Sequence, residues 1–255
     1  MNHVLKDIFF SYEKRLDKLD LGENFISSVP QNMFNNTLSV NDLNLDYNYI
    51  ESLQENAFKS ISPRRIYLGM NRIRDIHPDA FSGLETTLEL LDLERNSLNN
   101  VSRAFDKLQN LRYLYLSNNN ISSVREDSFL GFGESLRALS LSGNLIRVFP
   151  RAAVRACTKL SHLNIGYNDM AAVTAQDFMG WADSLDTLIL RCRALRLQIL
   201  CLQFCNIHLE ATFKTERKSQ QPKNQIIHFV LHFNFQFPQY LEGRGRVALH
   251  RQSRV

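Results

Sequence analysis

Residues 111–121 read LRYLYLSNNNI, and the spacing of the apolar side chains and of Asn119 in this stretch recurs along most of the chain. The alternation of Leu114 and Leu116 is typical of a short β-strand whose leucines share one buried face. Asn119 follows where such a strand turns away. Its amide can both donate to and accept from backbone groups that the turn leaves unpaired. Each copy of this pattern therefore predicts one strand followed by one turn.

Seven copies of the pattern lie in phase between residues 16 and 170. Their asparagines, 23 to 25 residues apart, are Asn24, Asn48, Asn71, Asn96, Asn119, Asn144 and Asn168. Phenylalanines follow the same period, with Ala153 or Val154 where one is missing; they are Phe10, Phe34, Phe58, Phe81, Phe105, Phe129 and Phe178. Repeats of this length cannot bury their apolar edges alone, so they stack on their neighbours. We therefore predict a structural ladder of seven asparagines and a column of phenylalanines.

The combined pattern is similar to the leucine-rich repeat in its 24-residue extracellular form, which carries a phenylalanine on the back. This resemblance implies an α/β fold: a curved solenoid with a parallel β-sheet on its concave face and loops and short helical turns on its convex face. Segments 64–98 and 111–129 further resemble the chaoptin-type adhesion proteins of arthropod photoreceptors. Connectin-like and Toll-like ectodomains share the general pattern. The chaoptin resemblance implies a glycoprotein anchored outside the cell that mediates adhesion.

The repeat divides the chain into three predicted parts. Residues 1–15 are the back half of a truncated repeat, and residues 16–191 hold seven full repeats and the start of an eighth. Arg193 then stands where the ladder requires an asparagine, and a guanidinium cannot accept the hydrogen bonds of the turn. Residues 192–255 are therefore predicted as a non-repeat tail. Three interpretations of this tail stay open: an appended domain, a disordered extension, or sequence foreign to the family. The abrupt break inside a repeat favours the last.

Charge and composition separate this tail from the rest. The net charge is +4, but residues 193–255 carry 10 basic and 3 acidic side chains, so the excess of positive charge lies in the tail. The apolar cluster 226–237 within it is predicted to promote aggregation. With 44% hydrophobic and 22% charged residues the composition is globular. Because no signal peptide or apolar span of about 18 residues occurs, the chain is expected to be an incomplete copy that does not itself insert into a membrane.

The outward-facing positions of the strands supply a candidate partner surface. Tyrosine and arginine are favoured anchors at interfaces, and four of them fall on neighbouring predicted strands. Cross-strand aromatic pairs also stabilise sheets without binding anything, and that alternative stays open. The predicted protein-binding residues are Arg65, Tyr67, Asp92, Tyr113, Tyr115 and His162.

Other chemistry-bearing residues give weaker signals. Sequons predict N-glycosylation at Asn35, Asn100 and Asn120, although composition alone yields about this number. Cys157 replaces an apolar residue on the back and is predicted to be buried. Cys201 and Cys205 lack a second pair at ligand spacing, so no metal site is predicted. The absence of phosphate-binding glycine loops, GxSxG and HExxH motifs predicts no catalytic residues, no cofactor and no enzyme.

The sequence thus predicts a non-catalytic protein-interaction solenoid. Its partner is expected to be a protein, including a second copy of the same chain, and neither a nucleic acid nor a small-molecule substrate. Three functions remain open: adhesion of the chaoptin type, ligand binding by part of a Toll-like ectodomain, and an intracellular scaffold. The first two place the full-length protein at the plasma membrane surface, facing outward.

Overall fold

The computed structural model describes residues 15–29, 39–59, 61–192, 196–197 and 227–232. Each copy of the pattern forms a short strand whose leucines point inward and whose intervening residue points outward. In the fourth copy Leu91 and Leu93 are fully buried, whereas Asp92 between them is only half-buried. This period of two is what a strand with one buried face requires.

Most of the strands belong to one sheet. In chain order they are β1 (Arg15–Asp20), β2 (Ser39–Asn44), β3 (Ser52–Leu53), β4 (Arg65–Tyr67), β5 (Asp75–Ile76), β6 (Leu90–Asp92), β7 (Tyr113–Tyr115), β8 (Ala138–Ser140), β9 (His162–Asn164), β10 (Ala172–Val173), β11 (Thr187–Cys192), β12 (Arg196–Leu197) and β13 (Ile227–His232). The sheet has the order β1-β2-β4-β6-β7-β8-β9-β11-β13, and all its neighbours are parallel except β13, which is antiparallel to β11. Equivalent positions of successive repeats therefore lie side by side.

The opposite side of the molecule carries short helical turns. Helix α1 spans Arg151–Val154, and 3-10 turns span Arg103–Phe105, Ala175–Asp177 and Ala182–Ser184. Two further small parallel sheets pair β3 with β5 and β10 with β12. The predicted architecture, a parallel-sheet solenoid backed by loops and helical turns, is confirmed.

The core is a continuous apolar layer that includes the predicted phenylalanine column. The rings of Phe58 and Phe81 stack with centroids 5.5 Å apart, and Phe105 follows Phe81 at 5.9 Å. In the repeat that lacks this phenylalanine, Ala153 and Val154 are both buried. There Phe178 of the column packs with two further buried rings, Phe149 and Trp181. Phe10 and Phe34 lie outside the described residues.

The asparagine ladder joins consecutive repeats. The Asn119 amide nitrogen donates to three carbonyl oxygens, one of them Leu93 of the preceding repeat at 2.9 Å. Its side-chain oxygen accepts the backbone N–H of Leu98, also in the preceding repeat, at 3.0 Å. The same bridging bonds are made by Asn48, Asn71, Asn96, Asn144 and Asn168, all buried. Asn24 differs: it is exposed, and among the described residues it donates to Leu21 and Gly22 of its own repeat.

The residue before each ladder asparagine adopts a left-handed conformation. Gly143 does so with φ of +67°, which costs a glycine little. The other six are not glycines, and their φ angles lie between +52° and +56°; they are Glu23, Tyr47, Met70, Arg95, Asn118 and Tyr167. An L-residue is strained in this region. The turn before the asparagine is therefore strained at these six positions, and at all of them except Glu23 the buried ladder bonds of the following asparagine stabilise it.

Two tail segments are placed against the solenoid. β12 pairs with β10 in parallel, with Arg196 opposite Ala172, 24 residues earlier in the chain. Ladder asparagines are not needed for this pairing, because it uses only main-chain groups. β13, inside the apolar cluster 226–237, pairs with β11 along its whole length. These six residues form a strand, and apart from Cys192 and β12 the rest of the predicted tail lies outside the described residues, so the three interpretations of the tail stay predictions.

Candidate protein-binding face

The outward positions of the sheet form two rows that run across the strands. The first row contains Asp42, Arg65, Leu90, Tyr113, Ala138 and His162. The second contains Asn44, Tyr67, Asp92, Tyr115, Ser140 and Asn164. Neighbouring members are about 4.8 Å apart, the distance between strands. The register therefore brings together five of the six residues that the sequence predicts for partner binding.

The centre of this face is the tyrosine–aspartate row, which we define as Tyr67, Asp92 and Tyr115. Asp92 lies between the two tyrosines on β6, and all three side chains are half-buried. Burial raises the pKa of both phenols. Since neither hydroxyl is hydrogen-bonded within the part of the chain that the structure describes, both remain available to a partner.

The environment of the Asp92 carboxyl group disfavours its ionised form. Burial raises its pKa to about 6, and the negative charges of Glu94 and Asp46 add to the effect. The backbone N–H of Glu94 donates to its Oδ1 at 2.8 Å, which opposes part of that rise. Burial also raises the pKa of Asp46, although the Gly69 N–H donates to it. None of these three carboxylates forms an ion pair with a described residue.

The cations of the same face are already paired. Arg65 contacts the carboxylate of Asp42 at 3.1 Å across β2 and β4. Lys18 contacts Asp20 at 2.7 Å, and this hydrogen bond lowers the pKa of Asp20. The uncompensated charge at the centre of the face is consequently negative, and a basic group is the kind of partner side chain that it would favour.

His162 lies apart from this centre. It is on β9, two strands beyond Tyr113, with Ala138 between them in the row. The ring is exposed, and its Nδ1 lies 2.8 Å from the hydroxyl of Ser161. The tyrosines and His162 therefore share a face without forming one cluster.

The remaining sequence candidates are placed as follows. Asn100 and Asn120 are exposed, and Asn35 lies outside the described residues; glycosylation of the three stays a prediction that glycosidase treatment of secreted protein would test. Cys157 is buried, which raises its pKa to about 12. Among the described residues, no three His, Cys, Asp or Glu side chains converge as metal ligands, and no helix is long and apolar enough to cross a membrane.

One exposed aromatic group was missed from the sequence. Phe25 is 83% exposed, and its ring stacks in parallel on Tyr49 with centroids 5.8 Å apart. The guanidinium of Arg72 lies 4.5 Å from the centre of the Tyr49 ring. All three residues directly follow a ladder asparagine, in consecutive repeats. Comparing that position between repeats would have revealed the stack.

Comparison with curated proteins gives partial matches. Chaoptin of Drosophila melanogaster is 38% identical over 104 residues, which is 41% of this chain and 8% of chaoptin. Leucine-rich repeat-containing protein 3B of Danio rerio is 39% identical over 69 residues, covering 26% of this chain and 27% of that protein. The chain thus spans a third or less of these relatives. It resembles chaoptin, as its repeats predict.

Solved structures match over a longer part of the chain. A TLR13 chain from a complex with the single-stranded RNA ssRNA13 covers 72% of this chain with a TM-score of 0.58 and 26% identity, over 26% of its own length. Human 5T4 covers 71%, with a TM-score of 0.56 and 22% identity, over 70% of its own length. The second likeness concerns the fold alone.

The family assignment rests on the greater part of the chain. The profile of the leucine rich repeat matches residues 14–62, 64–121 and 109–170, which hold all seven ladder asparagines. Repeats of this family form protein-interaction scaffolds. The chain therefore belongs to the leucine-rich repeat family, and it is a protein-interaction solenoid of that family.

Proposed function

We propose that this chain is part of a cell adhesion protein and that it binds a protein partner through the sheet face around the tyrosine–aspartate row. The observation that carries the proposal is that row itself: two tyrosines whose hydroxyls make no hydrogen bond with a described residue flank a carboxylate that forms no ion pair with one. The similarity to chaoptin over 104 residues supports adhesion as the context. This function places the full-length protein at the cell surface.

The row fits a basic side chain of the partner. An arginine or lysine inserted between Tyr67 and Tyr115 would pair with Asp92 and lie against two aromatic rings, both of which favour a cation. The ion pair would lower the pKa of Asp92, so binding is expected to release a proton below about pH 6, to strengthen as the pH rises toward 6 and to level off above it. A chain with such a basic group on its own surface, including a second copy of this chain, satisfies the requirement.

An aggregation assay tests the proposal. Cells displaying the full chain are expected to aggregate with one another or to bind cells that lack it. The double variant Tyr67→Ser, Tyr115→Ser should reduce this by about tenfold, because anchor residues carry most of the energy of an interface.

Leu130→Ser with Met179→Ser is the matched control, since both side chains are exposed apolar groups outside the two rows. Its adhesion should equal that of the wild type. The proposal is wrong if the unmodified chain causes no adhesion, or if the two double variants lose it equally.

A Toll-type ligand-binding ectodomain is the second candidate function. It is favoured by the structural likeness to TLR13 over 72% of this chain, in a structure that contains single-stranded RNA. The unpaired carboxylates on the sheet face oppose a polyanion there. We therefore expect this face not to bind single-stranded RNA, and saturable RNA binding abolished by Tyr67→Ser, Tyr115→Ser would favour the receptor function instead.

A further inference from the structure

A cleft opens beside helix α1, in the repeat where the phenylalanine of the column is replaced. Its volume is about 530 Å³. Arginines provide its positive charge, and serines of the preceding repeat line the other side. The polar lining residues are Ser122, Ser123, Glu126, Arg147, Arg151 and Arg155. We call this the arginine cleft; it contains no residue of the tyrosine–aspartate row.

The three arginines surround the cleft because of their spacing. Arg151 begins α1 and Arg155 directly follows it, so one helical turn separates them and both project to the same side. Arg147 approaches from the preceding loop, and the exposed side chain of Val148 lies beside it. The replacement of phenylalanine by the small residues of α1 thus coincides with a concentration of positive charge.

This charge is not neutralised within the described residues. None of the three guanidinium groups takes part in an ion pair there; the ion-paired arginines are Arg65, Arg103 and Arg125. The buried Nε of Arg151 also lacks a hydrogen-bond partner. Glu126 is the single carboxylate in the lining. The cleft therefore has an excess of positive charge and unused N–H donors, which favours an anion with several acceptor oxygens.

The other lining groups select among anions. The hydroxyls of Ser122 and Ser123 can exchange hydrogen bonds with alcohols, and the Glu126 carboxylate can accept one from an alcohol but repels a phosphate or sulfate. The apolar Val148 suits the C–H face of a sugar ring. The one aromatic lining residue, Phe149, is buried, so it offers no surface for stacking a nucleic-acid base. A ligand that alternates hydroxyl groups with oxyanions therefore matches this lining better than a polyphosphate, which has no hydroxyl groups along its chain.

We propose that the arginine cleft binds a sulfated sugar chain. Sulfate groups are held by Arg147, Arg151 and Arg155, and the sugar hydroxyls contact the serines and Glu126. The open shape of the cleft allows a chain to pass through it. This second site is independent of the proposed adhesion face, so one can fail while the other holds.

Calorimetric titration of the full chain with a heparin-derived octasaccharide tests this site. Protein made in bacteria is used, so that no glycan on nearby Asn120 covers the cleft. The triple variant Arg147→Ala, Arg151→Ala, Arg155→Ala should weaken binding by at least about tenfold, since hydrogen bonds to charged groups are lost. The matched control Arg64→Ala, Arg74→Ala, Arg112→Ala removes the same charge from exposed arginines elsewhere and should weaken it by no more than about threefold.

A conservative variant and a second anion complete the design. Arg151→Lys keeps the charge but loses the forked donor pair, and it should bind several-fold more weakly than the wild type. Thermal unfolding of every variant confirms that it is folded. Equal losses in the two triple variants, no octasaccharide binding by the wild type, or equally tight binding of a polyphosphate of matched charge would each overturn the proposal.

Discussion

At the scale of single residues, Asp92 shows how position changes chemistry. Its pKa is raised to about 6 from 3.8, chiefly by burial. Below about pH 4 the carboxyl is neutral in both folded and unfolded chains. Between pH 4 and 6 the unfolded chain releases the proton first, so the free energy of unfolding falls as the pH rises, and above pH 6 the full penalty is present.

The substitution Asp92→Asn should remove that penalty. The amide oxygen that it introduces would still accept the Glu94 N–H, and the variant should exceed the wild type in unfolding free energy by about 1–2 kcal/mol at pH 7.5, a value reduced for the partial exposure of the site. At pH 4 this advantage should vanish. Urea unfolding of both proteins at the two pH values measures it, and an advantage independent of pH would contradict the explanation.

Sequence reasoning predicted that Asp92 points outward, but not that its pKa is raised. Asp92 is outward-facing by period alone, because Leu91 and Leu93 must point inward. Its burial, however, depends on the residues of the two neighbouring strands, such as Tyr67 and Tyr115. How their side chains pack cannot be predicted from the sequence of one repeat. The same holds for the arginine cleft, which depends on how one atypical repeat lies against a regular one.

At the scale of the repeat, the asparagine ladder offers a matched pair of sites. Asn119→Ala should leave the buried Leu98 N–H without its acceptor and remove one of the two donors to each of three carbonyl oxygens. Asn24→Ala removes bonds at an exposed site. We expect Asn119→Ala to lower the free energy of unfolding by about 2–4 kcal/mol and Asn24→Ala to lower it by less than about 1 kcal/mol. Chemical denaturation compares them. Equal losses would mean that the ladder asparagines do not act through their buried bonds.

The repeat also marks a limit of prediction. The ladder was predictable because only an amide meets the needs of the turn, and the phenylalanine column because its period is regular. The left-handed residue before each asparagine was not, since residues as different as Glu23, Met70 and Arg95 occupy it. Because such different side chains adopt the left-handed conformation at this position, the conformation leaves no pattern in the sequence.

At the scale of the whole molecule, β13 covers the edge of the sheet that β11 would otherwise expose. An uncovered edge strand presents unpaired N–H and C=O groups and invites pairing with other chains. Phe229→Pro with Val230→Pro removes two successive N–H groups, and at least one must point toward β11, because successive groups of a strand alternate in direction.

Amide exchange of the full chain locates the effect of this change. Exchange in β11, at Leu188 and Leu190, should become about tenfold faster or more, while β7 should be unaffected because each repeat contacts only its neighbours. The control Gln252→Pro with Ser253→Pro adds two prolines outside the described strand. Unchanged exchange in β11 would show that β13 does not protect the edge.

The ladder bonds run in one direction, and this has a consequence for synthesis on the ribosome. Each repeat leaves a backbone N–H, such as that of Leu98, whose acceptor is the asparagine of the repeat that is translated next, and that asparagine also adds a second donor to the C=O of Leu93. At about 5–20 residues per second, a repeat would wait roughly one to five seconds for that asparagine. The nascent solenoid would therefore mature one repeat behind the growing end, and a translational pause would keep a single unfinished turn exposed to chaperones.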